Sequence, residues 1–423
     1  MKKLISLLLF AAMMLSLASC GKQELPQPQP APEEPILAED AVIELSDEKI
    51  AVTVDGSTTE ISGVSGDREV SVDDKNGEAM ITVAKNIVYY EEGHDFTYGE
   101  GTEADAHSAE EASAHTVVTI RQPGTYVLCG KLSAGQIAVD LGEEAKTDVN
   151  AVVTLVLYGV DITCTVAPAI IFYNVYECGD KDNPTKDVET HLAGANVYII
   201  GNTENTVNGS YVARIYEPES VVLSADGTEV EDAKKLHKYD AAFYSRMSMN
   251  VDGAASGILN IKAENEGLDS EMHLTINGGT IFIESGNDGI NTNEDGVSVT
   301  TVNGGTLTIM VTGETGEGDG IDSNGWLVIN GGSVAAFACS DSADAGIDSD
   351  MGIHIGEGAS VIATGHMLDR IAGAEQTCAV FQFSTPQSGE ERLMLRNANG
   401  TDVLTVSPKN DYSVLLYSSN GRR

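Results

Sequence analysis

Along the centre of this chain apolar and polar residues alternate in runs of four to six, as they do in strands that bury one face. Leu274 and Ile276 are followed by Ile281 and Ile283, Leu327 and Ile329 by Val334 and Ala336, and Ile353 and Ile355 by Val361 and Ala363. Glycine-rich turns separate the two runs of each pair, and helical spacing is absent from this region.

The runs also repeat. Gly267-Leu268-Asp269-Ser270, Gly289-Ile290-Asn291-Thr292, Gly320-Ile321-Asp322-Ser323 and Gly346-Ile347-Asp348-Ser349 are four versions of one phrase, and Asn-Gly-Gly turns follow three of them, at Asn277, Asn303 and Asn330. The 8 residues from Asp269 to Asn277 and the 14 from Asn277 to Asn291 make a minimal turn of 22. Longer turns carry polar insertions at Asn293–Gly296, Glu314–Gly318 and Ser340–Asp344, as solvent loops should. Short strands repeating in one direction at this period predict an all-β protein, a right-handed parallel β-helix with β caps at both ends. A β-sandwich is the alternative architecture. The expected organisation is a leader over 1–20, a proline-rich linker over 21–40, an N-terminal β cap with an acidic loop over 41–115, the β-helix over 116–370 and a C-terminal β cap over 371–423. The acidic loop, His94–His115, holds three histidines, with an accessory metal site as its alternative reading.

Stacking has an electrostatic consequence. In Gly-Ile-Asp-Ser the Ile continues the apolar column, so the Asp points outward, and Asp269, Asn291, Asp322 and Asp348 should pile up about 4.8 Å apart. Each pair of carboxylates at that spacing costs roughly 3 kcal/mol at an effective dielectric constant near 20. Glu266, Asp288, Asp319, Asp344 and Asp350 crowd the same corner, and no Lys or Arg occurs between Lys262 and Arg370. Hard oxygen donors of this density, with glycines that let carbonyls turn inward, predict Ca²⁺, with Glu266, Asp269, Asp288, Asn291, Asp319, Asp322, Asp344 and Asp348 as its ligands. A solvated acidic face is the alternative.

Composition places the chain outside the cytoplasm. Lys2 and Lys3, the apolar stretch Leu4–Leu17 and Ala18-Ser19-Cys20 form a secretory leader. Leu17-Ala18-Ser19-Cys20 resembles a bacterial lipoprotein cleavage box, which implies lipidation of Cys20 and attachment to the cell membrane through that lipid alone. Five prolines in Gln23–Pro35 make a stiff spacer. Without Lys2 and Lys3 there remain 22 basic against 65 acidic side chains, a net charge of −43, which excludes nucleic acid as a partner. Cys129, Cys164, Cys178, Cys339 and Cys378 show no metal-binding spacing, and buried thiols are expected for Cys164 and Cys339. Oligomerisation is not expected.

Gly318-Asp-Gly-Ile-Asp-Ser323, Asp344-Ala-Gly-Ile-Asp-Ser349, the Asn-Gly-Gly turns, Pro123–Gly130 and Leu155–Asp161 together resemble the carbohydrate-binding, polysaccharide-lyase-like, calcium-binding β-helix family of bacterial surface lipoproteins. The resemblance covers roughly residues 116–423. It implies calcium-dependent recognition of polysaccharide, of polyuronate or cellulose type, at the cell surface. A polysaccharide lyase and a structural adhesin or spacer are the alternatives. Lyases of this kind need a Lys or Arg base within reach of the proton α to a uronate carboxylate. The repeats contain none, so catalysis is not expected, and only Lys262, Arg246 or a lysine of the Glu217–Tyr239 insertion could approach. Strand alternation turns Trp326 outward beside His273 and Val299, so Trp326, His273 and Tyr244 are the candidate sugar contacts.

Overall fold

The alternating runs become strands, and equivalent runs of successive repeats pair in parallel and in register. A computed structural model describes residues 39–66, 68–396 and 399–419; Cys20 and nearly all of the linker lie outside them. One series of strands aligns Met249, Leu274, Thr300, Leu327 and Ile353, and two residues on Val251, Ile276, Val302, Ile329 and Ile355. A second aligns Leu259, Ile281, Leu307, Val334 and Val361. A third aligns Phe243, Leu268 and Ile290. Every one of these side chains is buried. Each aliphatic side chain so covered contributes about 1.5–3 kcal/mol, and the inward columns form one continuous core.

The first two series belong to a single 18-stranded sheet, and its connectivity corrects the expected right-handed parallel β-helix. Val153–Cys164 pairs through its first half with Ala195–Ile199 and through its second with Glu204–Gly209. Trp326–Phe337 likewise serves both Val299–Val302 and Thr306–Val311. The two series are thereby joined at both ends. The ten strands of this circuit close into a parallel β-barrel, and the sheet's other eight lie outside it. The physical reason lies in the corners. Intermediate turns break the strand, whereas these two carry the pairing through a bulge, with register shifts opposite Gly130 and at Gly331. Residue periodicity reports the stacking and is silent on whether a corner interrupts a strand or bends it.

A separate eight-stranded sheet carries the acidic repeats. At its other end Val70–Asp73, Ala79–Ala84 and Thr116–Ile120 pair antiparallel. Tyr412–Ser419 pairs antiparallel with both Gly352–Gly365 and Cys378–Gln387, which covers an edge otherwise open to aggregation. The segment His94–His115 is more ordered than an acidic loop. Ser108 and Glu111 form a capping box for the helix Ala109–Ala114, and His115 is buried, its Nδ1 2.9 Å from the Glu111 carbonyl. None of the cysteines Cys129, Cys164, Cys178, Cys339 and Cys378 is disulfide-bonded, and Cys164 and Cys339 are buried.

Candidate functional site

The parallel register of the third series sets one outward position above the next. Tyr244 lies opposite Asp269, and Asp269 opposite Asn291. The next two repeats continue the file through backbone bonds: the Asp322 N–H donates to the Ile290 carbonyl at 2.8 Å, and the Asp348 N–H to that of Ile321 at 2.7 Å. The side chains then gather into two groups. Asp319, Asp322 and Asp348 each offer a carboxylate oxygen within 4.8 Å of the others, and so do Asp240, Glu266 and Asp269.

Asp288 and Asp344, and Asp319 as well, hold backbone. Asp288 Oδ1 accepts from the Asp319 N–H at 2.7 Å, Asp319 Oδ1 from that of Ala345 at 2.5 Å, and Asp344 Oδ2 from that of Gly318 at 2.6 Å. These bonds tie each glycine-rich loop to the next repeat.

Crowding leaves its mark on the acidities. Burial, then the charge of Asp288, pushes Asp319 up to about 9. Burial, then Asp348 and Asp350, raises Asp322 to about 6, and burial, then Asp369 and Asp350, does the same for Asp348. Burial, then the charges of Asp269 and Asp240, holds Glu266 well above the carboxylate range, and burial, then the charges of Asp240 and Glu271, does so for Asp269. Three polar atoms of the file are buried without a hydrogen bond: Glu266 Oε2, Asn291 Oδ1 and Asp348 Oδ1. Orphaned oxygens beside carboxylates that resist ionisation fit a hard cation.

The two groups differ in what surrounds them. Over Asp240, Glu266 and Asp269 lies an antiparallel pair, Val212–Tyr216 with Lys235–Tyr239. Asp269 was expected to face outward, and this cover leaves it fully buried. Lys238 Nζ sits 2.7 Å from Asp240 Oδ2, and Lys235 Nζ 2.9 Å from Glu271 Oε1. Burial opposes the charge on Lys238, yet Asp240 holds its acidity constant above the ordinary lysine value. The absence of Lys and Arg from the repeats themselves therefore does not leave this end of the file without a cation. Asp240 escaped the sequence reading. It stands one repeat upstream, beside Ala241, which pairs with Glu266, but the long insertion before it breaks the period.

The three expected sugar contacts are placed differently. His273 is 3% exposed, and its Nδ1 accepts from the Val299 N–H at 3.1 Å. The loop at Gly179 covers it so closely that a Cβ there would fall 2.7 Å from His273 Nε2. Tyr244 is 1% exposed and donates to Glu271 and to the Lys238 carbonyl, so it packs under the cover. Neither ring can stack on a sugar. Trp326 is half-buried, opposite Val299 and Gly352.

An open groove of 760 Å³ runs across the first series of strands instead. Its floor carries Asn250, Thr275 and Thr301, aligned in register, and beside them Asn277, Asn303 and Asn330. Its wall is the segment 186–191. In the sequence the three asparagines read only as turn residues, and their recurrence at one place in each turn is the signal of the row.

An all-β scaffold with an oxygen-lined file on one face and a long polar groove on another defines a ligand-binding surface. The profile of the carbohydrate-binding domain-containing protein family matches residues 114–179 and 181–380, well over half of the chain, and the chain belongs to that family. A solved structure described as the polysaccharide lyase-like protein from C. thermocellum, a gadolinium derivative, is similar at 21% identity and a TM-score of 0.40, over 61% of this chain and 85% of that one. Among curated proteins none matches.

Proposed function

We propose that this chain is an extracytoplasmic, lipid-anchored protein that binds polysaccharide without cleaving it and whose acidic face is held by calcium. Carbohydrate binding rests on membership of the family. The observation that carries the metal is the convergence of Asp319, Asp322 and Asp348, an all-oxygen set with one orphaned oxygen, at Asp348 Oδ1. Calcium there would supply the positive charge that lets all three ionise together, and so fasten adjacent repeats. Lipidation of Cys20 follows from the cleavage box alone. No helix among the described residues is long and apolar enough to cross a membrane.

The reading without catalysis draws on Lys238. This lysine lies beside an acidic group that could hold a metal, and its ion pair with Asp240 favours the protonated form, which cannot abstract a proton. The test is retention on insoluble cellulose and on immobilised polygalacturonate, in calcium and in EDTA, with ultraviolet absorbance read for unsaturated product. Retention on at least one of the two, without product, is expected. Product formation would make the protein a lyase, and failure on every polysaccharide would leave a structural role. Trp326, the chain's single tryptophan, reports any nearby sugar through its fluorescence.

A further inference from the structure

We infer that the groove over the first series of strands is the glycan site, and that it takes an extended, uncharged polysaccharide lying across the strands. This rests on the carbohydrate-binding reading and gives it a place and a ligand class.

The floor is built as a regular array. Asn330 Nδ2 donates to Asn303 Oδ1 at 2.9 Å, and Asn303 Nδ2 donates to Asn277 Oδ1 at 2.9 Å. A side-chain amide has two N–H donors and an oxygen with two lone pairs. The ladder uses one N–H and one lone pair of the central amide, so each rung keeps a donor and an acceptor for something outside. All three asparagines are exposed. The ladder fixes their orientation in advance, which lowers the entropy lost when a ligand is bound.

The repeat distance suits a sugar chain. Ladder rungs follow the strand spacing of about 4.8 Å, comparable with the advance of one pyranose in an extended polysaccharide. A second row runs alongside at the same register, Asn250, Thr275 and Thr301; the first two are buried, and the half-buried Thr301 presents its hydroxyl to the groove. Asn250 is fixed beneath the groove by its Nδ2, which donates to the Thr190 carbonyl at 2.8 Å and to Asn196 Oδ1 at 3.0 Å. The exposed amide ladder, with the Thr301 hydroxyl beside it, offers neutral donors and acceptors to the hydroxyl-bearing edge of a ribbon-like glycan.

Charge selects the class. Neither row contains a cation to meet a uronate carboxylate, and the lysine on the wall, Lys186, already pairs with Asp187. On a chain carrying 65 acidic side chains, a polyanion would be repelled from such a floor. The wall is also no loose flap. Thr190 Oγ1 lies 2.6 Å from Thr275 Oγ1, which pins the segment to the floor.

The experiment measures binding of soluble hydroxyethylcellulose and of polygalacturonate by affinity electrophoresis in calcium, for the full chain and three variants. Asn303→Ala removes the central amide and its two ladder bonds. Thr301→Val removes one hydroxyl of the second row at nearly constant shape, so it tests the site even if Asn303→Ala folds poorly. Phe282→Ala truncates an exposed ring on the neighbouring series as the control. Asn303→Ala should weaken hydroxyethylcellulose binding roughly tenfold and Thr301→Val several-fold, with Phe282→Ala unchanged. Unchanged binding in both groove variants, while the parent chain binds, overturns the site and leaves the carbohydrate reading intact. Retention of polygalacturonate with no affinity for hydroxyethylcellulose overturns the ligand class. No binding of either polymer by the parent chain removes the carbohydrate reading and this inference with it.

Discussion

Asp322→Asn should strengthen the metal-free protein and weaken the calcium-loaded one, and that reversal is what a cation site predicts and a solvated acidic face does not. Oxygens of Asp319, Asp322 and Asp348 lie within 4.8 Å of one another. At that distance an ionised pair repels by about 3.5 kcal/mol at an effective dielectric constant near 20. Asp319, pushed up to about 9, carries its proton at pH 7.5 without metal, so the pair that matters is Asp322 with Asp348. Both titrate near 6 and are largely ionised at that pH. Replacing Asp322 by the isosteric amide removes this repulsion, for a gain of about 2 kcal/mol once partial exposure is discounted. With calcium at a hundredfold excess over its dissociation constant the parent chain gains about 2.7 kcal/mol, and the variant, one charged ligand short, gains far less. Denaturant unfolding of both proteins in EDTA and in calcium gives the four midpoints required. The reasoning is refuted if the variant unfolds earlier in EDTA, or if calcium moves both proteins equally.

Other outcomes are expected. Burial lowers His273 to about 4, so the unfolded chain takes up its proton first on acidification. The stability it contributes is full above pH 6.5 and is lost between there and 4, about 3 kcal/mol in all, so the stability difference between the parent chain and His273→Gln should change across that interval; a flat difference counts against it. Lys238→Met leaves Asp240 buried without its partner and should cost about 1–2 kcal/mol in EDTA, after allowance for the half-exposed ammonium, in urea titrations; an unchanged midpoint means the cover does not compensate this group. A Cβ on Gly325 would meet the Ser298 carbonyl at 1.9 Å, so Gly325→Ala should lose about 3 kcal/mol or fail to fold, read by yield and thermal melting.

Much of this protein was legible one residue type at a time. A period of two with inward Leu268, Ile290, Ile321 and Ile347 is a local property, and translation by one repeat carries Asp269 onto Asn291 whatever the rest of the chain does. The excess of acid and the hard-oxygen character of the file are likewise matters of composition. Tertiary structure decided what depends on segments far apart in the chain. Whether Val153–Cys164 and Trp326–Phe337 bend through their corners, and so close ten strands into a barrel, depends on a bulge shared with a neighbouring strand. Alternation turns His273 and Asp269 outward, but loops from residues 179 and 235–239 come back to bury them. The groove exists because Thr190 reaches Thr275, 85 residues later, to raise a wall beside a floor that alone would be a flat sheet. Periodicity is written in neighbours along the chain; cover, closure and concavity are made by contacts whose partners no local pattern names.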